Sequence, residues 1–254
     1  MGAGAMRTIV AILLLLPMLC SAQSRRLLLT GSSSLSPTPD ILWWKFTDGS
    51  GVNITSAIGE GGTNSGTWVT GKSGTGYGLD YNGTNQKSGS SNSIAYNTNI
   101  ITMTWWMNAR TTNATQIVIG SSTNENFFAY TFEFYILSTS RIEVDLHGNN
   151  TAGALWRIES CAFGMTTNAW HHWAVVLDNS TSNGDIKIYI DGSERSTTID
   201  ENDKGSAANL ASKVLYVGAR GFGSSYANIQ VDDLRVFSGE LSAASIVAIM
   251  NDPQ

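Results

Sequence analysis

The chain has 254 residues, of which 14% are charged and 42% hydrophobic, and Gly, Ser, Thr and Asn together fill 101 positions. So few charges and so many turn formers exclude a coiled coil or a helical bundle, whose outer faces need charged, helix-favouring residues. Eight Trp, eight Tyr and eight Phe exclude a disordered chain, and a formal net charge of −5 without any block of like sign excludes a phosphate-binding surface, so nucleic acid is not an expected partner.

Arg7 precedes an apolar run from Ile9 to Leu19, too short to span a bilayer and suited to the core of a secretion signal. Small residues at Cys20 and Ala22 predict a cut after Ala22. Residues 1–22 are therefore expected to be a signal peptide and the protein to be secreted. No later run reaches about 18 apolar residues, so membrane insertion is not expected. Loss of Cys20 leaves Cys161 alone, without a disulfide partner and expected to be buried and inert. Residues 23–40 are rich in Ser, Pro and Thr and read as a linker leading into one domain over 41–254.

From Ile41 the pattern changes to short apolar segments separated by Gly, Asn and Ser. Strands are predicted at 41–46, 76–81, 101–109, 116–120, 127–137, 141–147, 171–177, 186–191, 214–218 and 229–237, each with a two-residue period and β-branched or aromatic enrichment. Asp191-Gly192 predicts a tight hairpin turn, because both residues tolerate positive φ. Ser242 can cap a helix, with Leu241 and Ile246 at the positions of a hydrophobic staple and Ile246, Ile249 and Met250 as the apolar stripe. The predicted fold class is all-β: a jelly-roll β-sandwich of two antiparallel sheets with a short C-terminal helix.

Five segments in order carry a family likeness: Trp44-Lys45-Phe46 before Asp48-Gly49-Ser50-Gly51; Thr102 to Met107; Trp170 to Val176; Lys187 to Gly192; and Val231 to Phe237 before Leu241-Ser242. Together with Gly78 to Gly83 and Leu215 to Gly218, they resemble the laminin-G-like jelly roll of the concanavalin A-like lectin/glucanase superfamily. The resemblance spans about residues 41–250 and is specific for fold. It does not fix function, because the fold carries lectins, adhesion modules, hydrolases and lyases.

The resemblance implies one structural Ca2+ near a sheet edge, with Asp232 as the carboxylate ligand and Phe46 and Gly83 lending carbonyls. Hard oxygen donors suit that ion. Thr47 stands where similar sequences often have Asp, with Asp48 next. It also directs attention to Glu143-Val144-Asp145-Leu146-His147, because the superfamily's glucanases carry paired carboxylates on such a strand, about 5 Å apart for retention. Here Glu143 and Asp145 supply half of that pattern and His147 stands in the third place, so no catalytic residue is expected. A lyase would need Tyr, His, Arg and Gln grouped on a concave sheet, which no spacing shows. His171 and His172 point to opposite sides of one strand and cannot chelate one ion; with three His and one remaining Cys, zinc is not expected. His172 is expected to be a hydrogen-bonded core histidine.

Binding is the leading functional expectation. Neighbours in a strand face opposite ways, so one member of each pair Trp43/Trp44 and Trp105/Trp106 leaves the core. An outward indole is a platform for a sugar ring. Trp44 and Trp106 are the expected ligand-binding residues, and carbohydrate or a cell-surface glycoprotein the expected partner. A glycoside hydrolase or polysaccharide lyase of the same fold is the alternative.

Overall fold

A computed structural model describes residues 36–121, 131–148, 156–202, 205 and 207–252. The expected signal peptide, most of the linker and the start of the strand expected at 127–137 lie outside these residues. In chain order the strands are Leu42–Trp44 (β1), Asn53–Ile54 (β2), Ser56–Ile58 (β3), Gly62–Asn64 (β4), Thr67–Thr70 (β5), Tyr77–Asn82 (β6), Ser88–Ser90 (β7), Ile100–Ala109 (β8) and Gln116–Gly120 (β9). They continue as Phe132–Ile136 (β10), Arg141–His147 (β11), Trp156–Ala162 (β12), Trp170–Asp178 (β13), Asp185–Ile190 (β14), Ser193–Glu194 (β15), Thr198–Asn202 (β16), Tyr216–Val217 (β17) and Asn228–Ser238 (β18), followed by the helix Ala243–Met250 (α1).

The first sheet runs β15-β14-β13-β8-β18-β1-β3, with β6 also paired to β18 and β5 paired to β6. The second runs β16-β12-β11-β10-β9-β17-β7-β4-β2, and every pairing between these strands is antiparallel. Alternation along each strand sends one set of side chains between the sheets. From the first sheet, Trp105 and Trp173 stack with ring centroids 6.3 Å apart; from the second, Phe134 meets them edge-on at 5.0 and 5.4 Å. Such T-shaped and stacked contacts add to the burial of the largest side chains in the molecule.

The helix covers part of the outer face of the first sheet, where Ile246 packs with Ala174, Val176 and Tyr189. Ser242 accepts a hydrogen bond from the Ser245 amide at 3.1 Å, and Leu241 packs beside Ile246 as a staple does. Asp191 and Gly192 have φ of 50° and 76°, the double positive φ of the tight β14–β15 turn. Gly192 is required twice over, since a Cβ there would sit 2.7 Å from Val247 of the helix. Cys161 faces the core opposite Ile142, is buried, and its thiol pKa is pushed up by that burial.

Candidate functional site

The long strand β18 organises the outer face of the first sheet. Its residues 228–231 pair with β6 and 234–236 with β1, so its neighbour changes at Asp232-Asp233. Against β8 the register slips by one residue over the same interval, from Asp232↔Trp106 to Arg235↔Thr104. Asp233 absorbs the slip as a bulge with φ of 50°, a conformation short polar side chains tolerate best among non-glycine residues. The bulge keeps Val231 and Leu234 in the core while aiming Asp232, Asp233 and Arg235 outward.

Asp233 and Arg235 then build the floor of a site. The buried Arg235 guanidinium donates from Nε and Nη2 to Asp233 at 2.9–3.1 Å and from Nη1 to Asp252 at 2.9 Å. Trp43, cross-strand from Arg235, donates its indole N–H to Asp233 Oδ1 at 2.8 Å and lies with its ring centroid 4.5 Å from the guanidinium. Lys45, two residues on and on the same side, holds its ammonium 4.0 Å from that ring. These residues and Tyr77 line a pocket of about 380 Å³, within the range of small-ligand sites. Tyr77 is 47% exposed, and its ring lies so close over Gly49 (φ 69°) that a Cβ there would be 2.5 Å away.

The expected ligand and metal residues fall differently. Trp44 is fully buried in the core, edge-on to Phe46 at 6.2 Å, with its N–H held by the Glu60 carbonyl. It offers no platform; Trp43 is the outward member of the pair. Trp106 is the outward member of its pair, as expected, but Lys72 lies 4.5 Å over its ring and His172 packs against it at 5.3 Å. His172 is buried, which holds its pKa down at about 4, and among the described residues its Nδ1 meets no hydrogen-bond partner. The expected core placement of His172 holds and packing under Trp106 positions its ring, but the hydrogen bond expected of it is not made at Nδ1.

Asp232 is buried beside the β5–β6 loop. Its Oδ2 accepts the Lys72 amide at 2.9 Å, while Oδ1 meets no donor among the described residues. Burial first, then the neighbouring Asp233 charge, pushes its pKa up to about 6. The β1–β18 ladder ends at Trp44↔Leu234, two residues short of both Phe46 and Asp232. Gly83 lies elsewhere: its amide bonds the Ala227 carbonyl, five residues and about 16 Å along β18 from Asp232 at the usual strand rise. Asp48 is also engaged elsewhere, accepting from the Thr55 amide and hydroxyl at 2.9 and 2.5 Å. The orphaned, buried oxygen of Asp232 fits a cation; Gly83 cannot be its partner.

The outer face of the second sheet carries a polar cluster that no linear motif displays. Glu143, Asp145 and His147 share one side of β11, and across the β10 ladder Tyr135 lies opposite Glu143 and Glu133 opposite Asp145. Arg220, after β17, clamps Glu133 with hydrogen bonds of 2.9, 3.1 and 3.3 Å and donates to the Tyr135 hydroxyl at 2.6 Å; that hydroxyl donates to Glu133. The arrangement therefore does group Tyr, His and Arg on one face, and supplies Asp145 with a facing carboxylate, both contrary to what spacing along one strand indicates. Burial, with Glu143 and Glu133 beside it, raises the Asp145 pKa well above the carboxylate range, whereas burial and Arg220 hold His147 neutral with a pKa of about 3. Glu159 faces the other side of its sheet, paired with Arg157.

Residues 80–247 match the Laminin_G_3 family model, described as the concanavalin A-like lectin/glucanases superfamily. The chain belongs to that superfamily. Among solved structures it resembles the receptor-binding domain of botulinum neurotoxin mosaic serotype C/D (TM-score 0.58, 15% identity) and the binding domain of serotype D (0.59, 14%), covering 83% of this chain and 50% of each of theirs. The type G receptor-binding domain is similar (0.56, 14%), again with 83% and 50% covered. The chain thus spans about half the length of these domains, and at such identities the likeness is one of fold. No curated protein matches the chain significantly. Among the described residues, no helix is long and apolar enough to cross a membrane.

Proposed function

We propose that this protein is a secreted, non-catalytic binding module that recognises carbohydrate, free or displayed on a cell-surface glycoprotein, through the pocket around Trp43 and Tyr77. One observation carries the reading: two aromatic rings beside a fixed Arg235–Asp233 pair. Aromatic faces stack on the apolar face of a sugar ring, and the ion pair offers donors and acceptors to its hydroxyls. The Arg235 side is rigid because its guanidinium is buried and bonded to two carboxylates. Lys45 sits on an exposed, flexible stem, so its ammonium is the group that a ligand displaces from the indole. The neighbouring neurotoxin domains, named for receptor binding, support a binding role for the shared fold. A structural Ca2+ held by Asp232, with the Phe46 carbonyl as a further ligand, belongs to the same proposal. A glycan array probed with and without chelator tests it: selective hits support sugar recognition, while a blank array beside positive cell-surface capture moves the ligand to protein.

A second reading, a glycan-active enzyme, draws on one feature, the Glu133–Asp145 carboxylates with oxygens within 4.8 Å, near the spacing of retaining pairs. It predicts reducing ends released from a polysaccharide panel by the natural protein and none by Glu133→Gln. No release from any substrate removes it.

A further inference from the structure

The polar cluster on the second sheet has a use that does not depend on the sugar site. We propose that Glu133, Asp145 and His147 form a binding site for a divalent transition-metal ion, with Zn2+ the ion their ligand types match. Each contributes a donor atom, and these atoms all lie within 4.8 Å of one another. The set comes from two adjacent strands: Glu133 faces Asp145 across the β10–β11 ladder, and His147 follows two residues later on the same side. That is why no chelating pair shows along either strand alone.

A second observation points to a ligand. Asp145 is 3% exposed, and among the described residues its Oδ1 accepts no hydrogen bond. A buried carboxylate oxygen without a donor is costly, and a cation removes that cost. Arg220 does not fill the place, because its guanidinium is directed at Glu133 and Tyr135. Arg220 is paired with Glu133, so a cation bound at Asp145 would stabilise the ionised carboxylate at the oxygen that has no donor. Oε2 of Glu133 accepts from Nε and Nη2 of Arg220 and from the Tyr135 hydroxyl, whereas Oε1 accepts from Nε alone and keeps a lone pair for a metal. Arg220 and Tyr135 then act as outer partners that fix the ligand carboxylate.

The donor set selects the ion. Ca2+ takes six to eight oxygens, whereas an imidazole nitrogen among the donors favours a transition metal, and Zn2+ accepts imidazole and carboxylate ligands together with an open position. Tetrahedral zinc with bonds of about 2.1 Å wants neighbouring ligands about 3.4 Å apart, so modest rotations of Glu133 and Asp145 close the set.

The test is titration of the chelator-treated full chain with Co2+, a spectroscopic substitute for Zn2+, followed by visible absorption, bound-metal stoichiometry and competition by Zn2+. The expected result is one Co2+ per chain, displaced by Zn2+, with affinity reduced at least tenfold in both Asp145→Asn and His147→Gln and unchanged in His171→Gln. His171 lies on the other sheet against Asp191, so it reports adventitious binding to a histidine. Asp145→Asn is nearly isosteric, and circular dichroism verifies its fold, so it decides the matter even where His147→Gln does not fold. A natural protein that takes up no Co2+, or an Asp145→Asn variant that binds it equally well, overturns the proposal.

Discussion

Asp232 shows how one residue's surroundings set its role. Burial raises its pKa from the usual 3.8 to about 6, so the uncharged form is favoured by folding. The stabilisation tied to this group is therefore complete below about pH 4 and lost as pH rises through about 6. A rise of that size corresponds to roughly 3 kcal/mol, or several degrees in melting temperature for a domain of this size. In chelator, Asp232→Asn is expected to melt several degrees above the natural protein at pH 8, with the gap closing at pH 5. Added Ca2+ should raise the melting temperature of the natural protein at pH 8 and leave the variant unmoved. A natural protein indifferent to Ca2+ ends the metal assignment at Asp232. The sequence singles out Asp232 as the carboxylate to test; it does not show that Gly83 lies too far away to partner it, because only the pairing of β6 with β18 reveals that distance. The tryptophan pairs teach the same lesson. A two-residue period says that one indole of each pair turns outward, but only the register of β1 on β18 says that it is Trp43.

At the scale of elements, the long strands were legible because each combines β-branched residues with an apolar face: β8, β11, β13 and β18 fall within a residue or so of the sequence boundaries. The short strands β2, β3, β4, β5 and β7 were not, since two to four residues of Gly, Ser, Thr and Asn carry no period and gain their pairing from the sheet they join. The helix was legible from its cap. Ser242→Ala removes the acceptor for the Ser245 amide and is expected to cost about 1 kcal/mol, or about 2–4 °C in a thermal melt, with sugar binding unchanged. A variant melting with the natural protein would show that packing of Ile246 and Ile249 alone holds the helix in place.

At the scale of the whole molecule, the two sheets present different chemistry on their outer faces. The first carries the helix and, beside it, the aromatic pocket where β1, β6 and β18 meet. The second carries a buried acid–histidine–arginine cluster assembled from β10, β11 and the segment after β17. The sequence showed the fold and one line of this cluster, Glu143-x-Asp145-x-His147. It could not show Glu133 or Arg220, which are distant in the chain and brought in by antiparallel pairing. The central claim is that the Trp43 pocket binds sugar. Its most direct test is calorimetric titration of the strongest glycan-array ligand into the natural protein and into Trp43→Ala, with thermal melts confirming that both are folded. A loss of at least tenfold in affinity is expected for the variant; equal affinity in the two proteins would overturn the sugar assignment of this pocket.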